Sequence, residues 1–215
     1  MTRRLCVKAI FAAVLAGLAT PALAHPHVWV TAKAEIVFAP DGHITGIRHF
    51  WTFDEAYTAY VTQGLDQNND GKLTPEELQA LADENTASLD EFGYFTVVKV
   101  NGKKQAFDAP REPRMTMEKT QVALSYFLPL KKPASASGSV AMEIDDPTFF
   151  VYFTLGDQSS ITLANAPQGC ATTVSKAKQL DAAMQQILQD EGVFQTPAGA
   201  NMGVEYSNKA IIACP

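Results

Sequence analysis

The sequence predicts an α+β protein, in which an N-terminal β-hairpin and an EF-hand helix–loop–helix precede a small β-rich, sandwich-like lobe and a C-terminal amphipathic helix. Three observations predict this class. Residues 66–77 match a calcium-binding loop with helical patterns on both sides. Short apolar runs separated by turn signals fill residues 94–163. Apolar side chains then recur at helical spacing from Ser175 to Asp190.

The first 24 residues have the pattern of a secretory signal peptide. Arg3, Arg4 and Lys8 form a basic beginning, an apolar run covers residues 9–19, and Ala22-Leu23-Ala24 provides a small-x-small cleavage site. The apolar run is too short for a membrane span, and no later stretch approaches one. We therefore expect an exported protein, cleaved after Ala24, whose mature chain inserts into no membrane.

The sequence pattern divides the chain into three parts. The signal peptide occupies residues 1–24, the hairpin and the EF-hand-like region occupy 25–93, and the β-rich lobe with its C-terminal helix and disulfide-pinned tail occupies 94–215. Without the three basic residues of the first part, the formal net charge changes from −6 to −9. No basic residues are clustered, so we expect neither nucleic acid nor anionic lipid as a partner.

A hairpin opens the second part. Apolar and polar residues alternate over residues 28–38, Pro40-Asp41-Gly42 is a turn signal, and a second strand runs from His43 to about Phe53. An incoming helix is expected from Asp54, and an outgoing helix from Pro75 to near Gly93.

The loop between these helices has the spacing of an EF-hand calcium loop. Gly71 stands at position six, where the backbone turns sharply. Calcium is a hard cation that takes six to eight oxygen ligands. Positions one, three, five, seven, nine and twelve are filled by Asp66, Asn68, Asp70, Lys72 through its carbonyl, Thr74 and Glu77. The alternative is an Asx-rich turn that only caps the outgoing helix, with Thr74 as the N-cap and Glu77 at the third position.

The third part is read as short strands joined by turns. Asn101-Gly102 is a hairpin turn signal, and residues 133–138 are expected to form a flexible loop. Predicted strands cover residues 94–100, 121–130, 140–144, 149–155 and 161–163. The helix from Ser175 to Asp190 is followed by a tail, from Gly203 to Ala213, that is expected to return as an edge strand.

Cys170 and Cys214 remain after removal of the segment that contains Cys6. Two cysteines in an oxidising compartment most simply form one disulfide. The alternative is a thiol metal site, which needs a reducing environment and further ligands.

All four histidines lie between residues 25 and 49. Cleavage after Ala24 would give His25 a free α-amine beside its imidazole, and His27 follows one residue later. Imidazole suits copper, nickel and zinc. Because Pro26 has no amide hydrogen, a third ligand must come from elsewhere, and His49 and Asp54 are the candidates. The alternative is that His25 and His27 are solvated and that His43 and His49 are ordinary hairpin residues.

Signals for catalysis are missing from the sequence. It contains no phosphate loop, no dinucleotide fingerprint and no glycine-flanked nucleophile. We therefore expect a binding protein rather than an enzyme.

Five markers carry a resemblance to a known family. They are His25-Pro26-His27-Val28-Trp29-Val30, Trp51-Thr52-Phe53-Asp54-Glu55, the calcium-type loop, Val100-Asn101-Gly102 and Asp146-Pro147-Thr148-Phe149-Phe150-Val151. With these markers, the chain resembles the bacterial periplasmic family catalogued as domain of unknown function 1007, whose members are labelled as the periplasmic component of an uncharacterised ABC-type transport system. The resemblance implies a periplasmic location and an inner-membrane permease of the nickel/cobalt type as partner.

The leading hypothesis is a periplasmic accessory or binding component for transport of nickel, cobalt, zinc or copper, with a structural calcium in the EF-hand loop. A second hypothesis is a calcium-stabilised protein-interaction module without a transition metal. A third is a copper oxidoreductase that uses the N-terminal histidine.

Overall fold

The computed structural model describes residues 26–188 and 206–215. The predicted signal peptide, the predicted cleavage site after Ala24 and the candidate ligand His25 lie outside the described residues. The end of the predicted C-terminal helix and the beginning of the predicted tail also lie outside them.

The described residues form a β-rich fold with two sheets, so the predicted α+β class with a C-terminal amphipathic helix is wrong. The described α-helices are short: α1 Glu55–Val61, α2 Gln79–Ala87 and α3 Ala182–Ile187. The strands are β1 Val28–Phe38, β2 His43–Phe53, β3 Thr96–Val100, β4 Lys103–Lys104, β5 Arg111–Glu118, β6 Gln121–Ser135, β7 Gly138–Ile144, β8 Val151–Leu155, β9 Ile161–Ala164, β10 Ala171–Ser175 and β11 Asn208–Cys214.

The predicted hairpin forms the centre of the first sheet, which has the order β5-β6-β2-β1-β8 and carries β9 as a further partner of β1. Alternate residues of β1 are buried, as the period-two pattern of its sequence requires. Strands β8 and β9 pair with β1 in parallel, one after the other. This sheet therefore joins strands from both sides of the expected boundary between residues 93 and 94.

The second sheet has the order β10-β11-β7-β3-β4. Its β3–β4 turn is the predicted Asn101-Gly102 pair, and both residues have positive φ, 47° and 77°. The segment expected as a loop at residues 133–138 instead extends β6 to Ser135, and β7 begins at Gly138.

One hydrophobic core joins the two sheets. Ile36, Ile47 and Leu128 of the first sheet and Met142 and Ile212 of the second are fully buried members of it. The side chain of Asn208 crosses between the sheets: its Nδ2 donates to the carbonyl of Phe153, and its Oδ1 accepts from Leu155 N–H at 3.1 Å.

The expected C-terminal helix is replaced over its first half by extended chain. Ser175 still pairs with Lys209 in the sheet, and Ala177 N–H donates to Asn208 Oδ1 at 3.1 Å. The helix α3 begins only after Asp181, whose carboxylate accepts from Met184 N–H. Strand pairing and the buried amide of Asn208 thus override the helical spacing of the apolar residues.

The predicted disulfide between Cys170 and Cys214 is confirmed. It joins the residue before β10 to the last residue of β11, two strands that already pair through Ala171 and Ala213. The bridge links two positions that are 44 residues apart in the sequence.

Helices α1 and α2 lie against the first sheet. Val122 N–H of β6 donates to Thr58 Oγ1 of α1 at 3.1 Å, and Gln79 Nε2 of α2 donates to the carbonyl of Pro113 at 2.9 Å. A 3-10 segment, Leu89–Phe95, follows α2 and leads into β3. The calcium-type loop therefore stands on a helical layer that covers one face of this sheet.

Candidate functional site

The Asp66–Glu77 loop closes on itself through hydrogen bonds from its own backbone. Asp66 Oδ2 accepts from Gly71 N–H at 2.9 Å, and Asn68 Oδ1 accepts from Asp70 N–H at 2.9 Å. Asp70 Oδ1 accepts from Lys72 N–H at 2.8 Å. Gly71 has a φ of 77°, which suits the sharp turn expected at position six.

Glu77 ties the end of the loop to its beginning. Its Oε1 accepts from Gln67 N–H at 3.2 Å, and its Oε2 accepts from Thr74 N–H at 3.0 Å. Glu77 N–H in turn donates to Thr74 Oγ1 at 3.3 Å, which completes a capping box. The N–H of Thr74 is the main reason why the pKa of the Glu77 carboxyl lies below its usual value.

The donor types and their spacing fit calcium, since hard oxygen ligands stand at the required positions. The loop side chains, however, are arranged as expected for the alternative, a turn that only caps the outgoing helix, because the carboxylates of Asp66, Asp70 and Glu77 each accept from backbone N–H groups. In the described parts of the chain, no group of three His, Cys, Asp or Glu residues is placed to hold a metal ion. Calcium binding by this loop stays a prediction.

The helices on either side of the loop are joined by side chains. Asp54 caps α1, with Oδ1 accepting from Tyr57 N–H and Oδ2 accepting from Trp29 N–H of β1 at 2.7 Å. Tyr57 donates through its hydroxyl to Asn85 Oδ1 of α2 at 2.8 Å. The Tyr57–Asn85 bond therefore holds the two flanking helices to each other, and Asp54 holds α1 to the start of β1.

His49 lies inside the core, where it is fully buried. Its ring stacks on Tyr126 at 5.0 Å between centroids and packs edge-on against Trp51. Its Nε2 lies 3.4 Å from Thr96 Oγ1. Burial lowers the pKa of His49 to about 3, so the imidazole is neutral at physiological pH. The alternation of Ile47, His49 and Trp51 in β2 could have predicted this inward position.

The strand register does not bring His27 and His49 together. His49 pairs with Ala34 of β1, seven residues beyond His27. At about 3.3 Å per residue, the two positions are roughly 23 Å apart along the strand. His27 is exposed at the start of β1, and its ring lies 4.8 Å from the ring of Phe150. His43 lies at the hairpin turn, 3.2 Å from Asp41 Oδ1.

An apolar pocket of about 440 Å³ was not predicted from the sequence. Its floor comes from the inward faces of β1, β2, β6 and β8, and its wall comes from α1, α2 and the 3-10 segment. Tyr57, Leu89, Phe92 and Phe150 are among the lining residues. They lie far apart in the sequence, but exposed Phe92 next to Asp90 and Glu91 is a signal that could have drawn attention to this surface.

Comparison with protein families identifies the chain. A family model described as protein of unknown function, DUF1007, matches residues 10–214. The chain belongs to the DUF1007 family. The DUF1007 match includes every described strand, the Asp66–Glu77 loop and both cysteines of the disulfide, so these features lie within the family region. A comparison with curated proteins gave no match for this chain.

The described helices of this DUF1007 protein are all too short, or too polar, to cross a membrane.

Proposed function

We propose that this protein is a periplasmic binding component for the transport of a divalent transition metal, with calcium held structurally by the Asp66–Glu77 loop. The observation that carries the calcium part of the proposal is the loop. It combines oxygen side chains at EF-hand positions with a glycine in the left-handed conformation at position six.

Calcium would act here as a structural ion. The loop connects α1 and α2, which are joined by the Tyr57–Asn85 hydrogen bond and cover one face of the first sheet. Asp66, Asp70 and Glu77 carry like charges within one short loop, and a divalent cation would offset their repulsion. It would thereby fix both helices against the sheet.

The transition metal would bind at the mature N-terminus as cargo. The α-amine and imidazole of His25 and the imidazole of His27 are the proposed ligands, and nickel, cobalt, zinc and copper all suit such nitrogens. The exposed position of His27 supports this assignment, whereas the burial of His49 and its place along the strand remove it from the ligand set. The permease of the nickel/cobalt type is inferred from the family resemblance.

The test is metal analysis of the protein purified from the periplasm with its own N-terminus. We expect one of nickel, cobalt, zinc or copper to copurify, and calcium to bind when it is added back at millimolar concentration. The double variant His25→Ala/His27→Ala should lose the transition metal and bind the added calcium unchanged.

A protein with one alanine added before His25 is the matched control. It keeps both imidazoles but moves the amine, so its transition-metal affinity should fall as well. Cells that lack the protein should accumulate less of the same metal, and the double variant should not restore uptake. Equal transition-metal binding by all three proteins would exclude the N-terminal site.

A further inference from the structure

The apolar pocket has the size and shape of a binding site. Its volume of about 440 Å³ falls within the range of about 300–1,000 Å³ that is typical of ligand sites. The floor consists of core side chains such as Val30, Trp51 and Phe153, whereas the wall comes from the helical layer. The pocket is therefore a cleft between the first sheet and a layer of short helices.

The polar side chains in the lining are already paired within the protein. Asp146 Oδ1 accepts from the N–H and hydroxyl of Thr148, and Asp146 Oδ2 accepts from Val151 N–H. Asn85 accepts from the Tyr57 hydroxyl and donates to the carbonyl of Leu81. The cleft thus offers its occupant an apolar surface, and an apolar group is the occupant that fits.

Aromatic residues stand at the mouth of the cleft. Phe92 is 56% exposed and Phe150 is 48% exposed, although both line the pocket. Phe92 stacks on Phe95 with the ring centroids 5.3 Å apart. These rings enlarge the apolar surface that a partner would cover.

The backbone beside the cleft includes bulky residues in the left-handed region. Phe95, which lines the cleft, has a φ of 47°, and Tyr94 and Phe149, each next in sequence to a lining residue, have φ of 61° and 56°. This conformation is uncommon for aromatic residues and costs free energy. Strained backbone of this kind often occurs at sites that clamp a ligand, so it supports a binding role for this cleft.

The helical layer around the cleft holds the negative charge of the mature chain. Residues 54–95 contain ten acidic side chains and one basic side chain, Lys72, which gives a net charge of −9. The rest of the chain after residue 24 contains 13 acidic and 13 basic side chains and is therefore balanced. Asp54 and Glu84 lie near the lining, because their charges, after burial, help to raise the pKa of the Tyr57 hydroxyl. A partner with positive charge around an apolar anchor is complementary to this surface.

We infer that this cleft docks a segment of a partner protein in which an apolar side chain is flanked by lysine or arginine. The apolar side chain would enter between Phe92 and Phe150, and the basic side chains would lie against the acidic helical layer. The same charge would repel an anionic lipid surface and nucleic acid. The inference goes beyond the proposed function, because it requires neither a transition metal nor its transport.

The probe for the test is a fluorescein-labelled amphipathic peptide made of leucine and lysine. Its binding to the mature, disulfide-bonded protein is measured by fluorescence anisotropy. We expect saturable binding that weakens as the ionic strength rises. A peptide with serine in place of leucine and a peptide with glutamate in place of lysine should each bind at least about tenfold more weakly.

Matched variants locate the site. Phe92→Ser/Phe150→Ser removes the two exposed rings and should weaken binding by about tenfold or more. Ser88→Trp places a large side chain at an exposed lining position and should block the cleft without removing a core residue. Tyr60→Ser is the control, because Tyr60 is 75% exposed on α1 but lies outside the lining.

The inference is overturned if the leucine–lysine peptide does not bind the wild type, or if the leucine–glutamate peptide binds equally well. It is also overturned if Ser88→Trp and Phe92→Ser/Phe150→Ser, both folded by circular dichroism, bind within about twofold of the wild type. Repeating the titration with the protein that has one alanine added before His25 separates this result from the proposed function. That protein should lose transition-metal affinity but bind the peptide normally, because it keeps His27, whose ring contacts Phe150.

Discussion

Replacement of the buried His49 by phenylalanine should change how the stability of the protein depends on pH. His49 is fully buried, and burial lowers its pKa from 6.5 to about 3. The folded state therefore keeps this side chain neutral under mildly acidic conditions, whereas the unfolded chain protonates it below pH 6.5. Because the unfolded state binds the extra proton, His49 makes the free energy of unfolding fall as the pH falls.

The magnitude follows from the two pKa values. From about pH 7 to pH 5, protonation of His49 in the unfolded chain alone lowers the free energy of unfolding by about 2 kcal/mol. A folded pKa anywhere below about 4 gives nearly the same value, because the folded imidazole is still neutral at pH 5. In His49→Phe this contribution is absent. At neutral pH, the two proteins should have similar stabilities, because phenylalanine also removes the buried Nδ1 that lacks a hydrogen-bond partner in the structure.

Asp145 has the opposite effect to His49 over part of this pH range, because it stabilises the folded state as the pH falls. Burial and the nearby charges of Glu143 and Asp146 raise its pKa to about 6, so the folded state binds a proton that the unfolded chain releases. Its contribution therefore favours the folded state as the pH falls from 6 towards 3.8. Both proteins contain Asp145, and the difference between their pH profiles isolates His49.

The assay is urea unfolding followed by tryptophan fluorescence, with the disulfide intact and calcium chelated in every sample. The wild type should lose about 2 kcal/mol more than His49→Phe between about pH 7 and pH 5. Profiles that remain parallel within about 0.5 kcal/mol would refute the account of His49 as a neutral core residue.

Local patterns correctly predicted the hairpin with its Pro40-Asp41-Gly42 turn and the Asn101-Gly102 turn, but not the extension of β6 into residues 133–135. The alternation of residues 28–38 and the Pro40-Asp41-Gly42 signal act within a few residues, and β1, β2 and their turn follow from them. The Cys170–Cys214 bridge could be predicted because only two cysteines remain once the predicted signal peptide is left out. The inward position of His49 could also have been predicted, because alternate residues of a strand face the same side of the sheet.

Long-range pairing could not be read from the sequence. Nothing local indicates that β8 pairs in parallel with β1, or that Asn208 binds Ala177 and holds the region expected as helix in an extended form. The apolar pocket depends on the same long-range arrangement, because it gathers side chains from Val28 to Phe153. Its aromatic rims became recognisable only once the sheets were assembled.

Three further predictions test the fold and the mature terminus. Asn208→Leu should lower the free energy of unfolding by about 3–5 kcal/mol, as measured by urea titration, because groups of β8, of β7 and of Ala177 lose a hydrogen-bond partner. A loss below about 1 kcal/mol would contradict the bridging role. Gly46→Ala should cost about 1–3 kcal/mol in the same assay, because an added Cβ would lie 2.5 Å from the carbonyl oxygen of Leu128; an unchanged midpoint would argue against this close approach. Intact-mass measurement of the exported protein should show His25 as the first residue, and a mass that retains Leu23 would exclude the amine ligand.

The central claim, a divalent cation in the Asp66–Glu77 loop, is tested most directly by thermal unfolding with and without calcium. Exported EF-hand modules bind calcium with Kd of about 10⁻⁴–10⁻³ M, so about 10 mM calcium should stabilise the folded state by about 1.4–2.7 kcal/mol. Glu77→Gln should lose most of this gain, whereas Glu76→Gln, with the same change of charge at a neighbouring exposed position outside the ligand set, should keep it. If calcium leaves the wild-type Tm unchanged, or if Glu77→Gln responds as strongly as Glu76→Gln, the loop is a helix-capping turn and the proposed calcium site does not exist.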